Sequence, residues 1–299
     1  MKPTLLILAA GMGSRYGGLK QIDGVGPSGE TIIDYSIYDA IRAGFGKVVF
    51  VIRHSFEEAF KTQFAKRWEG KIAIDYAYQE VNTPIEGLDE MPERSKPWGT
   101  AHATLVAADL IQEPFAVINA DDYYGADSFQ QIADFLTSMA ASDHYAMVGF
   151  QLKNTISPYG TVSRGICEAD KNGYLKTVVE RTKIQRLEDG NIYFLEGEQP
   201  ELLGENAVVS MNFWGFHPNI FEEMRKQFIE FAKENADNPK AEFYIPLSVN
   251  ILIQTGKIKL SVLTSTEQWY GVTYQEDRPT VVDALQKYAD EGKYPHTLG

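Results

Sequence analysis

Five short apolar runs, each bounded by turn residues and separated from the next by an amphipathic stretch, set the tightest limit on how this chain folds. The runs predict buried strands at Thr4 to Ala10, Lys47 to Ile52, Ile72 to Tyr78, Phe115 to Asn119 and Tyr145 to Gln151. Helical spacing between them predicts helices from Thr31 to Ala43, Ser55 to Trp68, Thr100 to Asp109 and Ser128 to Met139, the first closed by Gly44. Unalternated apolar strands suit a sheet covered on both faces, and helical crossovers join such strands in parallel. The expected class is α/β, with a mostly parallel sheet between helices.

After Gln151 the pattern loosens into shorter β-rich pieces with turn signals SPYG and DKNG. A helix from Pro218 to Lys233, a strand at Lys259 to Leu263 and a last helix from Asp277 to about Glu291 follow. With no repeat and no linker long enough to divide the chain, a single domain over 1–299 is expected. One irregular stretch stands out, Glu80 to Pro97, with Pro84, Pro92, Pro97, Gly87 and seven charged residues. Loops of that length inside a compact fold either cover substrate or form a solvated insertion.

Charge narrows the partners. A net charge of −13 opposes a broad footprint for nucleic acid or an anionic membrane, so a polyphosphate ligand would need cations concentrated locally or a metal. Cys167 is the only cysteine, which rules out an intrachain disulfide and suits a reducing compartment. The run Leu5 to Ala10 is too short for a signal-peptide core, and no window reaches the length of a membrane span. A cytoplasmic protein is expected.

The first run leads straight into GMGSRYGGLKQ. Gly11, Gly13, Gly17 and Gly18 let backbone N–H groups approach an anion closely, and Arg15 and Lys20 place two cations among them, as a triphosphate cradle requires. A dinucleotide fingerprint would have its third glycine where Tyr16 stands and would enter a helix directly, whereas Pro27 to Gly29 intervene. A Walker loop needs Ser or Thr where Gln21 follows Lys20. An ordinary strand-to-helix loop stays as the plain alternative.

At Leu8 to Arg15, with Lys20, the chain resembles the nucleotidyltransferase superfamily of sugar-nucleotide pyrophosphorylases, whose signature is LAAG-x-G-[ST]-R followed by Lys. The short gap from Arg15 to Lys20 looks more like its molybdenum-cofactor branch. PWGTAHAT resembles the family's base-contacting G-T-[AG]-x-A segment, and Gln79 resembles a Gln that reads a pyrimidine edge. In FAVINADDYYG the family's metal-binding Asp falls on Asp121; SPYGTV, VVER and VVSMNFWGF resemble acceptor-contacting segments and give Gly160, Glu180, Arg181 and Asn212.

The resemblance implies a three-layer α/β/α sandwich of the nucleotide-diphospho-sugar transferase type. It implies an enzyme that joins an NTP, by preference a pyrimidine one, to a sugar 1-phosphate or similar phosphorylated small molecule and releases pyrophosphate. Arg15, Lys20 and Asp121 would be catalytic, with Mg²⁺ on Asp121; Ala10, Gly11, Gly13, Ser14, Gln79, Gly99 and Thr100 would hold the nucleotide, in a first half spanning 1–150. Residues 151–299 would form the acceptor half. The pattern departs where a long loop separates Gln79 from Gly99 and Thr100 and where Arg181 replaces a Lys, and it breaks in WYGVTYQED, where Gly271 stands in the place of the second metal-binding Asp of many members. A glycosyltransferase consuming a nucleotide sugar, or a silent nucleotide-sugar sensor, are the rival readings.

Overall fold

The structure, a computed structural model, describes residues 1–11, 23–83, 92–197, 199–272 and 276–298. The strands of the first half are β1 (Thr4–Leu8), β2 (Lys47–Ile52), β3 (Ala73–Tyr78), β4 (Phe115–Asn119), the short β5 (Asp122–Tyr123) and β6 (His144–Gln151). Helices α1 (Ile32–Arg42), α2 (Glu57–Phe60), α3 (Lys66–Trp68), α4 (Thr100–Leu105) and α5 (Ala126–Ser138) lie between them. The second half supplies β7 (Val162–Ala169), β8 (Leu175–Arg186), β9 (Ile192–Phe194), β10 (Glu201–Leu203), β11 (Val208–Phe216), α6 (Ile220–Glu234), α7 (Ile245–Gln254), β12 (Lys259–Ser265), β13 (Tyr270–Gly271) and α8 (Asp277–Asp290).

Strands β3, β2, β1 and β4 pair in parallel in that order, and β12 runs parallel to β6; β11 enters antiparallel between β4 and β6. Successive strand side chains point to opposite faces, so β1 sends Leu5 and Ile7 into one core and Leu6 into the other, while β2 divides Val48, Phe50 and Ile52 from Val49 and Val51. Residues of α1, α5 and α8 complete the first core, and residues of α4, α6 and α7 the second. This is the three-layer sandwich, with a mixed sheet of mostly parallel strands. The β7 to β10 meander branches from the N-terminal part of β11, where Val209 and Ser210 face Ile166 and Gly165.

Local chemistry explains both ends of α1. Thr31 and Asp34 form a reciprocal capping box at the start of α1, and Gly44 leaves that helix with φ +94, a left-handed conformation that glycine adopts without steric cost. The helix expected from Ser55 to Trp68 is corrected to a short 3₁₀ turn, α2, a π turn at Lys61–Ala65 and α3. Phe60, Phe64 and Trp68, spaced by four, are all buried, and a locally widened turn keeps such a spacing on one line. The helix expected to reach Asp109 stops at Leu105 and continues as a 3₁₀ turn, Ala108–Leu110. Helix α7, with Pro246 in its first turn, was hidden by its almost continuous apolar sequence.

Candidate active site

The carboxyl end of β4, the start of β7, the middle of β8, the bulge of β11 and the start of α7 enclose a cleft of about 710 Å³. Its lining includes Asn119, Asp121, Asp122, Arg164, Glu180 and Asn212. Open α/β sheets hold ligands at this edge because the strands end there and the loops diverge.

Paired acids form the floor. Asp121 is half-buried and lines the cleft, whereas Asp122 is 7% exposed and braced. Asn119 Nδ2 donates to Asp122 Oδ2 at 3.0 Å, and the Tyr124 hydroxyl lies 3.2 Å from the same oxygen. Asn212 joins this network by donating to Asn119 Oδ1 (2.7 Å) while accepting from Trp214 Nε1 (2.8 Å). It does so from a left-handed backbone, φ +62, at the register shift between Ser210 and Trp214 in β11. The bulge therefore turns an Asn amide of the second half onto a strand end of the first.

Gly271 lies opposite Asp122 in the β5–β13 pair. A Cβ there would come 2.3 Å from Trp269 Cη2 and 3.0 Å from Asp122 Oδ1, so the indole occupies the space a side chain at 271 would need. Among the described residues no group of three His, Cys, Asp or Glu side chains could hold a metal by itself. The donor set fits Mg²⁺ in the form that takes one or two carboxylates and draws its other ligands from substrate phosphates and water.

Beside α4, Gln79 is buried; its Nε2 donates to the Gly99 carbonyl (3.1 Å) and to His102 Nδ1 (3.1 Å). Burial, with Arg94 nearby, pushes His102 down to about 4, so the ring is neutral at pH 7 and its proton sits on Nε2. It stacks on Phe228 at 5.0 Å and is a core residue. Gly99 has φ +97, and a Cβ would meet the Phe243 carbonyl at 2.8 Å; Thr100 Oγ1 accepts the Ile245 N–H at 3.1 Å. The turn at 99–100 is thus clamped to the start of α7. The described end of the charged loop is fastened to the same place: Arg94 bonds the Asn238 and Ala241 carbonyls, and Lys96 pairs with Glu242.

At the first strand's end, the Ala10 carbonyl accepts from Arg53 Nε at 3.1 Å, and Gly11 closes the described segment. Gly13, Ser14, Arg15 and Lys20 lie outside the described residues.

The opposite wall separates the residues assigned to the acceptor. Val178, Glu180 and Thr182, alternating along β8, line the cleft. Glu180 opens to the cleft, yet the surrounding protein desolvates it enough to raise its carboxyl, against the lowering effect of Arg164. Arg181 is not among the lining residues: it stacks over Phe194 at 4.6 Å and lies 3.9 Å from the Glu201 carboxylate. Gly160 sits in the turn before β7 and also outside the cleft lining.

Sequence reasoning missed Arg164. It is only 6% exposed, donates from its two terminal nitrogens to the Ser163 (2.7 Å) and Thr155 carbonyls, and stacks over Trp269 at 4.8 Å. Burial pushes it down to about 10, opposed by Asp122, Glu180 and Asp277, so it stays cationic at neutral pH. Its parity with buried Val162 on β7, a charge at an inward position, was the available signal.

The profile of the family described as Nucleotidyl transferase matches residues 4–269. No curated protein matches at a significant level. Among solved structures, the chain is similar to a Bacillus anthracis protein with a provisional glucose-1-phosphate thymidylyltransferase assignment, crystallised with a sucrose (TM-score 0.65, 13% identity, 95% of each chain). It is equally similar to the inositol-1-phosphate CTP transferase of T. maritima (TM-score 0.65, 10% identity, 97% of each chain). A UDP-glucose pyrophosphorylase complexed with UDP-glucose matches with TM-score 0.59 and 18% identity over 97% of this chain and 100% of the other.

Proposed function

The chain belongs to the nucleotidyl transferase family, and from that premise we propose that it joins an NTP to a sugar 1-phosphate or a similar phosphorylated small molecule. An oxygen of the acceptor's phosphate attacks the α-phosphorus in line, the bond to the bridging oxygen of the β-phosphate breaks, and pyrophosphate leaves. No protein nucleophile is needed. The observation that supports this most is one cleft lined both by Asp121, at a parallel strand end, and by Glu180 on the antiparallel strands, so that two substrates can meet.

Catalysis on this reading is positioning and charge neutralisation. Arg15 and Lys20 neutralise the triphosphate, with Ala10, Gly11, Gly13 and Ser14 supplying backbone around it. Asp121 would hold Mg²⁺, which supplies charge stabilisation at the phosphates when bound. Gln79 holds the Gly99 carbonyl and α7 holds Thr100, and on this reading the two lie beside the base, a pyrimidine by preference. Glu180 accepts a hydroxyl of the acceptor, while Asn212 and Gly160 shape the acceptor half. The expected setting is the reducing cytoplasm; no helix among the described residues is long and apolar enough to cross a membrane.

The test is a panel of CTP, UTP, dTTP, ATP and GTP against glucose 1-phosphate, inositol 1-phosphate and choline phosphate with Mg²⁺, read by pyrophosphate release. Release with at least one pair supports the reading. Release with none, together with transfer from a nucleotide sugar, replaces it with a glycosyltransferase.

A further inference from the structure

We propose that Arg164, and not Arg181, is the residue that takes the phosphate of the acceptor. The inference rests on the transferase reading above. The cleft is lined by three carboxylates, Asp121, Asp122 and Glu180, so a phosphate entering it is favoured where a fixed cation stands among them. Among the described residues lining the cleft, Arg164 is the one cation. Arg181 occupies its guanidinium elsewhere, over Phe194 and near Glu201.

The guanidinium is built into place. A guanidinium has five N–H donors, and the two carbonyl bonds to Ser163 and Thr155 engage two of them; buried Nε has no partner. Trp269 holds the plane from one side and borders both the main cleft and a small neighbouring pocket with Arg164, so the pair forms the partition between them. The same indole fills the space beside Gly271. Where a side-chain carboxylate at 271 would have added negative charge, this chain has the indole that seats a fixed positive one.

The experiment uses the full chain, inorganic phosphate as the common probe, and the acceptor the panel selects. Arg164→Met should weaken phosphate binding and raise the acceptor KM by at least about tenfold with the NTP KM unchanged; Arg164→Lys, which keeps charge but loses the fork, should fall between. Arg181→Met should stay within about twofold on both readings. In ¹⁵N-labelled wild type, phosphate should shift the Arg164 Nε–Hε signal, a readout that does not depend on any variant folding. An unmoved signal, an unchanged Arg164→Met, or a larger loss in Arg181→Met overturns the assignment. If the panel yields no pyrophosphate while phosphate still shifts Arg164, the reaction fails and the anion site stands.

Discussion

On the parallel side of the cleft, β1, β2 and β4 are buried on both faces, and the residues that line the cleft sit where β4 stops, at Asn119 and Asp121. On the antiparallel side, the cleft-lining residues of β8 sit in mid-strand and alternate with residues that face away, so that Glu180 and Arg181, adjacent in sequence, go to different places. A parallel sheet announces its functional positions by punctuation, whereas an antiparallel one hides them in parity. The two walls are therefore expected to respond differently to substitution.

The largest effect should come from the strand-end wall. Asp121→Asn is expected to lower kcat by about a hundredfold, roughly 2.7 kcal/mol, with folding retained, because an amide keeps the shape but not the charge that holds a hard cation. Asp122→Asn should cost less, its Oδ2 serving as a strut for Asn119 and Tyr124. The reverse order in Mg²⁺ titrations would move the metal position by one residue.

Next in size is Gly271→Ala, which forces a methyl against Trp269 and should cost about 1–3 kcal/mol in urea unfolding. A neutral result would mean the indole is free to swing, and the wall it forms with Arg164 is softer than the parallel wall. Lys20→Ala and Arg15→Ala should each lose at least about tenfold in turnover, about 1.4 kcal/mol, with unchanged melting. Normal turnover in both would remove the glycine loop from the chemistry.

The smallest expected effect concerns Asp39 of α1, whose carboxyl accepts from the Tyr294 hydroxyl at 2.7 Å. Burial raises it to about 7, with Arg42 and Lys293 opposing and Glu267 reinforcing. A raised carboxyl binds its proton more tightly in the folded chain, so its contribution to stability is present at low pH and is lost as pH rises through about 7. Wild type should lose on the order of 1 kcal/mol between pH 6 and 7 relative to Asp39→Asn. Parallel unfolding curves over that range would show that this carboxyl ionises as it would in water.

The parallel strands could be read almost to the residue because their apolar runs have no competing pattern, and β2 and β4 begin and end as expected. Helix α7 could not, since IPLSVNILIQ buries Ile245, Val249 and Leu252 while Leu247 and Ile251 stay exposed, and such a run fits a buried strand equally well. In the candidate site, Asp121 was legible from its place after a strand. Arg164 showed only as a charge at an inward position of β7, and what seats its guanidinium is Trp269, more than a hundred residues away in sequence and adjacent only in the fold.

Strand β11 also dictates an order in time. During synthesis the N-terminal strands emerge first, yet the outer edge of β4 waits for Trp214 to Phe216 before it is paired. Until Trp214 to Phe216 have left the ribosome, any parallel sheet already formed has no strand to cover the free edge of β4, and open edges are the kind of surface that captures other chains. The strand that later joins the two walls of the cleft is thus the one whose late arrival leaves the unfinished protein most in need of shelter.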